Sequence, residues 1–305
     1  MRFHDLTTAP PFTGFGAFPA AGRTALPAGP DPHLRKMDRY GTIGLAAAQA
    51  ALSDAGMSPP TEIDPQWGIA VGSSLGCWSS NARFYAELLK KSVQGVSPAL
   101  FVRTVSNSVT GDVSIALRLS GASETFVSGW TAGADAVISA GTAIEQNRAR
   151  RMLAGGVEAP DALPASMIVG TPPLSDRHWQ PPAPTEAAAF ALLDATAAGD
   201  RLRLRAFWRG HDPARRWSLR GALDATAHLT IAAVMIANSV PGDLLARWRE
   251  EAGRVPLVYL ADESGELGAA GAVVALAAAA TRGLVGVLVV SRGIEGSVVA
   301  LAAGR

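Results

Sequence analysis

The hydrophobic pattern divides the chain into alternating helix-like and strand-like segments. From Leu34 to Ala55 apolar residues recur at Met37, Tyr40, Ile43, Leu45, Ala48 and Leu52, the spacing of an amphipathic helix, and Gly56 suits its C-terminal cap. Trp67–Ser73 (WGIAVGS) is a continuous apolar run ending at glycine, as a buried strand reads. Asn81–Lys91 has helical amphipathicity, and Pro98–Leu119 reads as largely one helix. Glu124–Ser128 (ETFVS) is a short strand, Ala132–Glu145 a helix of small residues, and Met152–Gly156 the next strand. Further on, the pattern predicts strands at Glu186–Asp194 and Arg201–Arg209, and helices at Leu219–Asn238 and Asp243–Ala252. A strand at Val255–Ala261, an alanine-rich helix at Leu267–Ala280 and closing strands at Gly286–Ser291 and Ser297–Ala302 complete the chain. Phe12–Gly16 ends a first strand, while Ala20–Pro32 and the proline-dense stretch 160–184 read as loops.

This alternation implies an α/β protein whose sheets are covered on both faces. A strand, a glycine turn and a small-residue helix recur around 128–145 and 260–280, a pseudo-repeat. The first copy has the form in which many α/β enzymes display a nucleophile, a strand turning tightly into a helix whose N-terminal N–H groups are free. At its centre stands Trp130, which cannot attack a substrate.

Composition narrows the function classes. Hydrophobic residues make up 48% of the 305, much of it alanine, and charged residues only 17%, which favours close helix packing. The net charge of +1 carries no global signal for nucleic acid or an anionic membrane. The arginines at 201, 203, 205, 209, 215, 216 and 220 read as a solvated face or an interface rim. Cys77 is the only cysteine, so an intrachain disulfide and a cysteine-based zinc site are both excluded. Its default role is that of a small packed residue. His178, His211 and His228 lack metal spacing, and His228 falls on the helix expected at Leu219–Asn238. A Ser128 hydrolase using His178 with Asp176 or Asp135 would lack the Gly-x-Ser-x-Gly turn of that class. The N-terminus shows no basic-then-apolar leader, and Ala269–Ala280 is too short to span a bilayer, so a soluble cytoplasmic protein is expected.

Several motifs, in order, resemble one family. They are Asp38-Arg39-Tyr40 with the helix after it, Gly68–Gly76 (GIAVGSSLG), Val96-Ser97-Pro98, Asn107, Gly111, Ser114-Ile115 and Gly121 ahead of the elbow. Ala154–Ala159 (AGGVEA), Glu186-Ala187-Ala188 and Leu267–Gly271 (LGAAG) follow it. Together they resemble the β-ketoacyl-acyl carrier protein synthases of the thiolase superfamily. The resemblance implies a layered α/β/α/β/α fold built from two pseudo-repeated halves, at 1–170 and 171–305, with the second half shortened.

The resemblance also places the family's catalytic positions. The nucleophilic cysteine falls on Trp130 and the second catalytic histidine on Gly265, while no counterpart of the first histidine's loop is found. Claisen condensation needs a thiolate to hold the acyl chain and imidazoles to stabilise the enolate and oxyanion. The expectation is therefore a subunit without condensing activity or cofactor, most like the chain-length factors of type II polyketide synthases. Its partners would be an active ketosynthase in a heterodimer and, through it, an acyl carrier protein. By the same resemblance Phe101, Thr104, Val105 and Ser108 face the acyl tunnel. The strand Glu124, Thr125, Phe126, Val127 and Ser128 pairs with its two-fold mate, and Trp130 plugs the vacated acyl site or walls the tunnel. Two alternatives remain, an enzyme of other acyl-thioester chemistry using Ser128, Thr131 or Glu266, and a homodimeric acyl-binding scaffold.

Overall fold

The computed structural model describes residues 2–6, 10–18, 36–160, 182, 185–211, 217–294 and 296–305. The loop readings at Ala20–Pro32 and 160–184 fall almost wholly outside these residues, as do Asp176, His178, Arg215 and Arg216.

The strands are β1 (Arg2–Asp5), β2 (Phe12–Phe18), β3 (Trp67–Gly72), β4 (Ser123–Phe126), β5 (Arg151–Glu158), β6 (Ala187–Asp194), β7 (Arg203–His211), β8 (Ala233–Ile236), β9 (Leu257–Tyr259), β10 (Gly286–Arg292) and β11 (Ser297–Gly304). The helices are α1 (Arg39–Asp54), α2 (Trp78–Lys91), α3 (Pro98–Phe101), α4 (Ser108–Leu117), α5 (Ala132–Glu145), α6 (Leu219–Ala225), α7 (Gly242–Ala252), α8 (Ala261–Ser264) and α9 (Gly271–Thr281).

One sheet runs β2-β6-β5-β3-β4 and the other β1-β7-β11-β10-β8-β9. Apart from β1, the two orders correspond strand for strand. In each, an antiparallel trio leads into a parallel trio: β5, β3 and β4 in the first, β10, β8 and β9 in the second. The pseudo-repeat read from the elbow and its later echo is thus a repeat of whole sheets.

Layering follows from side-chain size. Helices α5 and α9 lie between the sheets, their alanines sharing one core with Ala154 and Leu193 of one sheet and Val289 and Leu301 of the other. A helix carrying larger side chains would hold the sheets further apart, which is the structural use of the alanine-rich composition. Helices α1 and α4 cover the outer face of the first sheet. Helices α6 and α7 cover that of the second, over a packed trio of Trp208, Trp217 and Trp248. This is the layered α/β/α/β/α thiolase-like fold.

Two element readings are corrected. Pro98–Leu119 is not one helix but α3 and α4, separated by a turn in which the Thr104 hydroxyl donates to the Phe101 carbonyl at 2.7 Å. Short polar side chains that bond their own backbone compete with helix there. Leu219–Asn238 is also not one helix, since it contains α6, a turn carrying the exposed His228, and the buried parallel strand β8.

Candidate functional site

The elbow forms where β4 ends. Ser128 leads into a 3-10 turn, Gly129–Thr131, from which α5 starts, and Gly129 takes a left-handed φ of 65°. The second repeat has a matching turn, Gly268–Ala270, leading into α9, with Gly268 at φ 53°. The two turns pack face to face across the sheets. Their approach leaves no room for side chains, because a Cβ at Gly133 would lie 1.8 Å from the Ala269 carbonyl oxygen, and one at Gly156 2.1 Å from it.

Trp130 sits inside this junction at 2% exposure. The Ser291 hydroxyl, at the end of β10, lies 3.2 Å from the Trp130 carbonyl oxygen and within hydrogen-bond distance of Asn238 Oδ1. Asn238, just beyond β8, spends both amide hydrogens, on Glu266 Oε1 at 2.9 Å and on the Gly268 carbonyl at 2.8 Å. Glu266 also accepts from the Ser239 and Gly268 backbone N–H groups at 2.6 and 2.7 Å. On the other side of the same turn, Glu158 accepts from Ser74 N and Oγ, both at 2.6 Å, and from Ala269 N at 3.1 Å. Burial pushes both carboxyls up, and these hydrogen bonds pull them back in part. Each repeat thus contributes a buried carboxyl that holds one N–H of the Gly268–Ala270 turn.

Chemically this is a closed network. Asn238 has no spare N–H for an oxyanion, and Glu266 is engaged on both oxygens. The Thr131 hydroxyl is turned back onto the Ser128 carbonyl at 3.0 Å. Gly265 follows α8 at φ 71° and offers no side chain. Among the described residues, no histidine side chain enters the network. The Ser128 hydroxyl donates to Asp135 at 2.6 Å, and Arg209 holds the other oxygen of that carboxylate at 2.8 Å. Cys77 is 3% exposed, and burial pushes its thiol up, as befits a packed residue. Glu263 is a surface group paired with Arg282.

Of the residues expected at the tunnel and interface, Trp130 meets this network and Ser128 adjoins it, while the others lie apart. Strand β4 is the edge of its sheet. The Thr125 hydroxyl meets that of Thr110 on α4 at 2.7 Å, and Phe126 packs against the central core. Glu124 accepts from Ser139 Oγ at 2.6 Å and lies 3.5 Å from Arg148. With Phe126, Phe207 and Arg209 these side chains line an open groove of about 570 Å³ along the edge. Val127, Phe101, Val105 and Ile115 are about half exposed, as is Val102. The Ser108 hydroxyl is buried without a hydrogen-bond partner among the described residues.

Asn238 does not figure among the residues the sequence singled out, whereas Glu158 lies in the AGGVEA motif and Ser291 opens the Ser291–Gly296 stretch that dimly echoes the family's oxyanion loop. A signal was present, since each ends an apolar strand with a polar residue. For Asn238 it was hidden when β8 was read as helix.

Two like-ordered sheets sandwiching paired helices define a thiolase-like ketosynthase fold. Comparison with known proteins agrees: residues 23–167 match the family model "Beta-ketoacyl synthase, N-terminal domain". Residues 23–167 thus resemble a β-ketoacyl synthase N-terminal domain, in a chain of thiolase-like ketosynthase fold. It is 32% identical over 124 residues to 3-oxoacyl-[acyl-carrier-protein] synthase 2 of Vibrio harveyi, covering 41% of this chain and 30% of that protein. The protein of the same description from Staphylococcus aureus is 28% identical over 126 residues, 41% of this chain and 31% of that one. The matched segment therefore spans less than a third of these relatives.

Solved structures align over nearly the whole chain. One belongs to AntDE:AntF, described as a type II PKS acyl-carrier protein in complex with its ketosynthase bound to the hexaketide. It aligns with TM-score 0.81 and 20% identity, over 96% of this chain and 98% of that one. The ishigamide ketosynthase/chain length factor aligns with TM-score 0.75 and 19% identity, over 97% and 99% of the two chains. Among the described residues, no helix is long and apolar enough to cross a membrane.

Proposed function

We propose that this chain is a condensation-inactive ketosynthase-fold subunit. It pairs with an active β-ketoacyl synthase of type II polyketide or polyene biosynthesis and shapes the tunnel that limits acyl chain length. The observation that carries this reading is Trp130, 2% exposed at the centre of the elbow, with Ser291 on its carbonyl and both amide hydrogens of the adjoining Asn238 already spent. An indole supplies no nucleophile, and among the described residues the network at its carbonyl has no imidazole and no spare Asn238 N–H. The edge of β4, followed by the half-exposed Val127, is the surface through which the partner would extend the sheet. Acyl carrier protein would reach the complex through the active subunit.

The test is co-expression with a ketosynthase encoded nearby. Expected are a stoichiometric heterodimer on size exclusion and a shorter product from Thr104→Trp. A stable homodimer that turns over an acyl thioester alone would refute the reading. That outcome would favour the second one, an enzyme of other acyl-thioester chemistry, for which the Ser128–Asp135 hydrogen bond is the supporting feature.

A further inference from the structure

The segment between α3 and α4 presents apolar side chains outward, with Phe101 at 59%, Val102 at 61% and Val105 at 49% exposure. It has little core beneath it, and none of the residues of α3 is buried. Beside the contact of the Phe101 ring with Phe84 at 5.6 Å, what holds it is polar. Arg103 points inward and its Nη1 donates to Asp112 Oδ2 on α4, at side-chain exposures of 13% and 4%. Asp38, the N-cap of α1, adds a second negative charge near the guanidinium. The space for the Asp112 carboxylate exists because α1 carries glycine at 41, where a Cβ would come within 2.3 Å of Oδ2. A second tether is neutral, the Tyr40 hydroxyl donating to the Ser106 carbonyl at 3.3 Å.

We infer that the Arg103–Asp112 ion pair is a positioning element that pins the 101–105 segment to α4 and α1 and thereby fixes where the tunnel wall stands. This rests on the tunnel reading above. Its physical basis is that a buried pair has few alternative arrangements, whereas the apolar face it supports is largely exposed, its ring contact being Phe101 against Phe84 of α2 at 5.6 Å. A wall held at one charged anchor stops a growing chain, and a wall released from it yields. Arg103 and Asp112 need not touch the acyl chain, so they are not catalytic residues.

Three variants test this. Arg103→Met removes the charge at similar length, Arg103→Lys keeps it, and Gly41→Ala displaces Asp112 without altering the segment. Hydrogen exchange of the amides of residues 100–106 reads the anchor alone. Arg103→Met and Gly41→Ala should exchange at least about tenfold faster there, a change within the range of local opening equilibria, while Arg103→Lys stays close to wild type. In the complex with an active ketosynthase, the first two should shift products toward longer chains at undiminished total product, and the lysine variant should not. If Arg103→Met does not fold, Gly41→Ala and Arg103→Lys carry the same contrast. Unchanged exchange in the loosened variants overturns the anchor, whatever the protein's function. Faster exchange with unchanged product lengths in an intact heterodimer overturns the role in length control. A wild-type protein that forms no heterodimer or has no effect on product length overturns the tunnel reading, and the length-control role with it, but leaves the anchor to be judged by exchange.

Discussion

Replacing Trp130 with cysteine puts a thiol at the centre of the elbow and tests both the proposed loss of chemistry and the filling role of the indole. Trp130 is 2% exposed, so the change empties most of an indole's volume from a closed junction. Large-to-small substitutions of buried aromatics cost roughly 3–5 kcal/mol, and cysteine refills little, so about 3 kcal/mol is expected. At roughly 2–4 °C per kcal/mol for chains of this order, the melting temperature should fall by about 6–12 °C. Condensation should not appear. A thiol at its ordinary pKa of about 8.5 is only a few per cent thiolate at neutral pH. Removing one oxyanion donor typically costs about 10²–10³ in rate, and among the described residues Asn238 has both amide hydrogens already spent. The assay is carrier-protein-dependent condensation with the partner's own nucleophile blocked, run beside a thermal melt. Measurable condensation from this single substitution would refute the account of the site. An unchanged melting temperature would refute the claim that the indole fills the junction.

Other consequences are independent of that one. Gly133→Ala should cost more than about 3 kcal/mol in urea melts, because its Cβ would lie 1.8 Å from the Ala269 carbonyl oxygen; a near-neutral result would mean that the two turns are not locked together. The Glu266 carboxyl is raised by burial above its ordinary value near 4.5, so between that value and the folded one the native state binds more protons than the unfolded chain. Stability therefore falls as pH rises through this window, by up to about 1.4 kcal/mol per pH unit for one proton. Glu266→Gln should flatten that slope in melts at pH 5 and pH 7, and an equally steep slope would assign the effect elsewhere. Val127→Lys, at 57% exposure, should leave the isolated chain's stability within about 0.5 kcal/mol while weakening any subunit pairing seen by sedimentation; loss of stability without loss of pairing would place the interface away from β4.

Much of the fold was legible because local and tertiary signals agreed. Ala132–Glu145 was read with its observed bounds, since its small residues have one use, to be buried on all sides between two sheets. Strands β3, β5 and β6 were found as apolar runs stopped by polar or glycine residues. Strand β8 was not. AVMI lies inside an alanine-rich apolar run, and a parallel strand buried on both faces has no alternation to distinguish it from a buried helix. That one misreading hid Asn238, which becomes visible as a site residue only once a strand end is placed before it. The Glu266 network was equally illegible. Its partners come from β8, β10 and the Gly268–Ala270 turn, more than twenty residues apart in places, and no spacing rule joins them.

If the proposed reading holds, the elbow is a catalytic turn kept for reasons of packing. In an enzyme such a turn displays the nucleophile. Here the reasons for its shape are all packing reasons. Gly133 and Gly156 both abut the Ala269 carbonyl, so α5 can start in only one place relative to β5 and the opposing turn. Glu158 and Glu266, one from each repeat, fix the N–H groups of that opposing turn. Ser291 ties the Trp130 backbone to β10 through its carbonyl, an interaction indifferent to the side chain at that position. None of these contacts requires a thiol or an imidazole. The junction between the repeats therefore over-determines the elbow, and the side chain at its centre is free to change from a reacting group to a filling one. On this view the stability of the two-repeat body and the identity of residue 130 are separable. The Trp130→Cys melt and Gly133→Ala measure the two terms separately: the first should be a loss of volume, the second a loss of register between the halves.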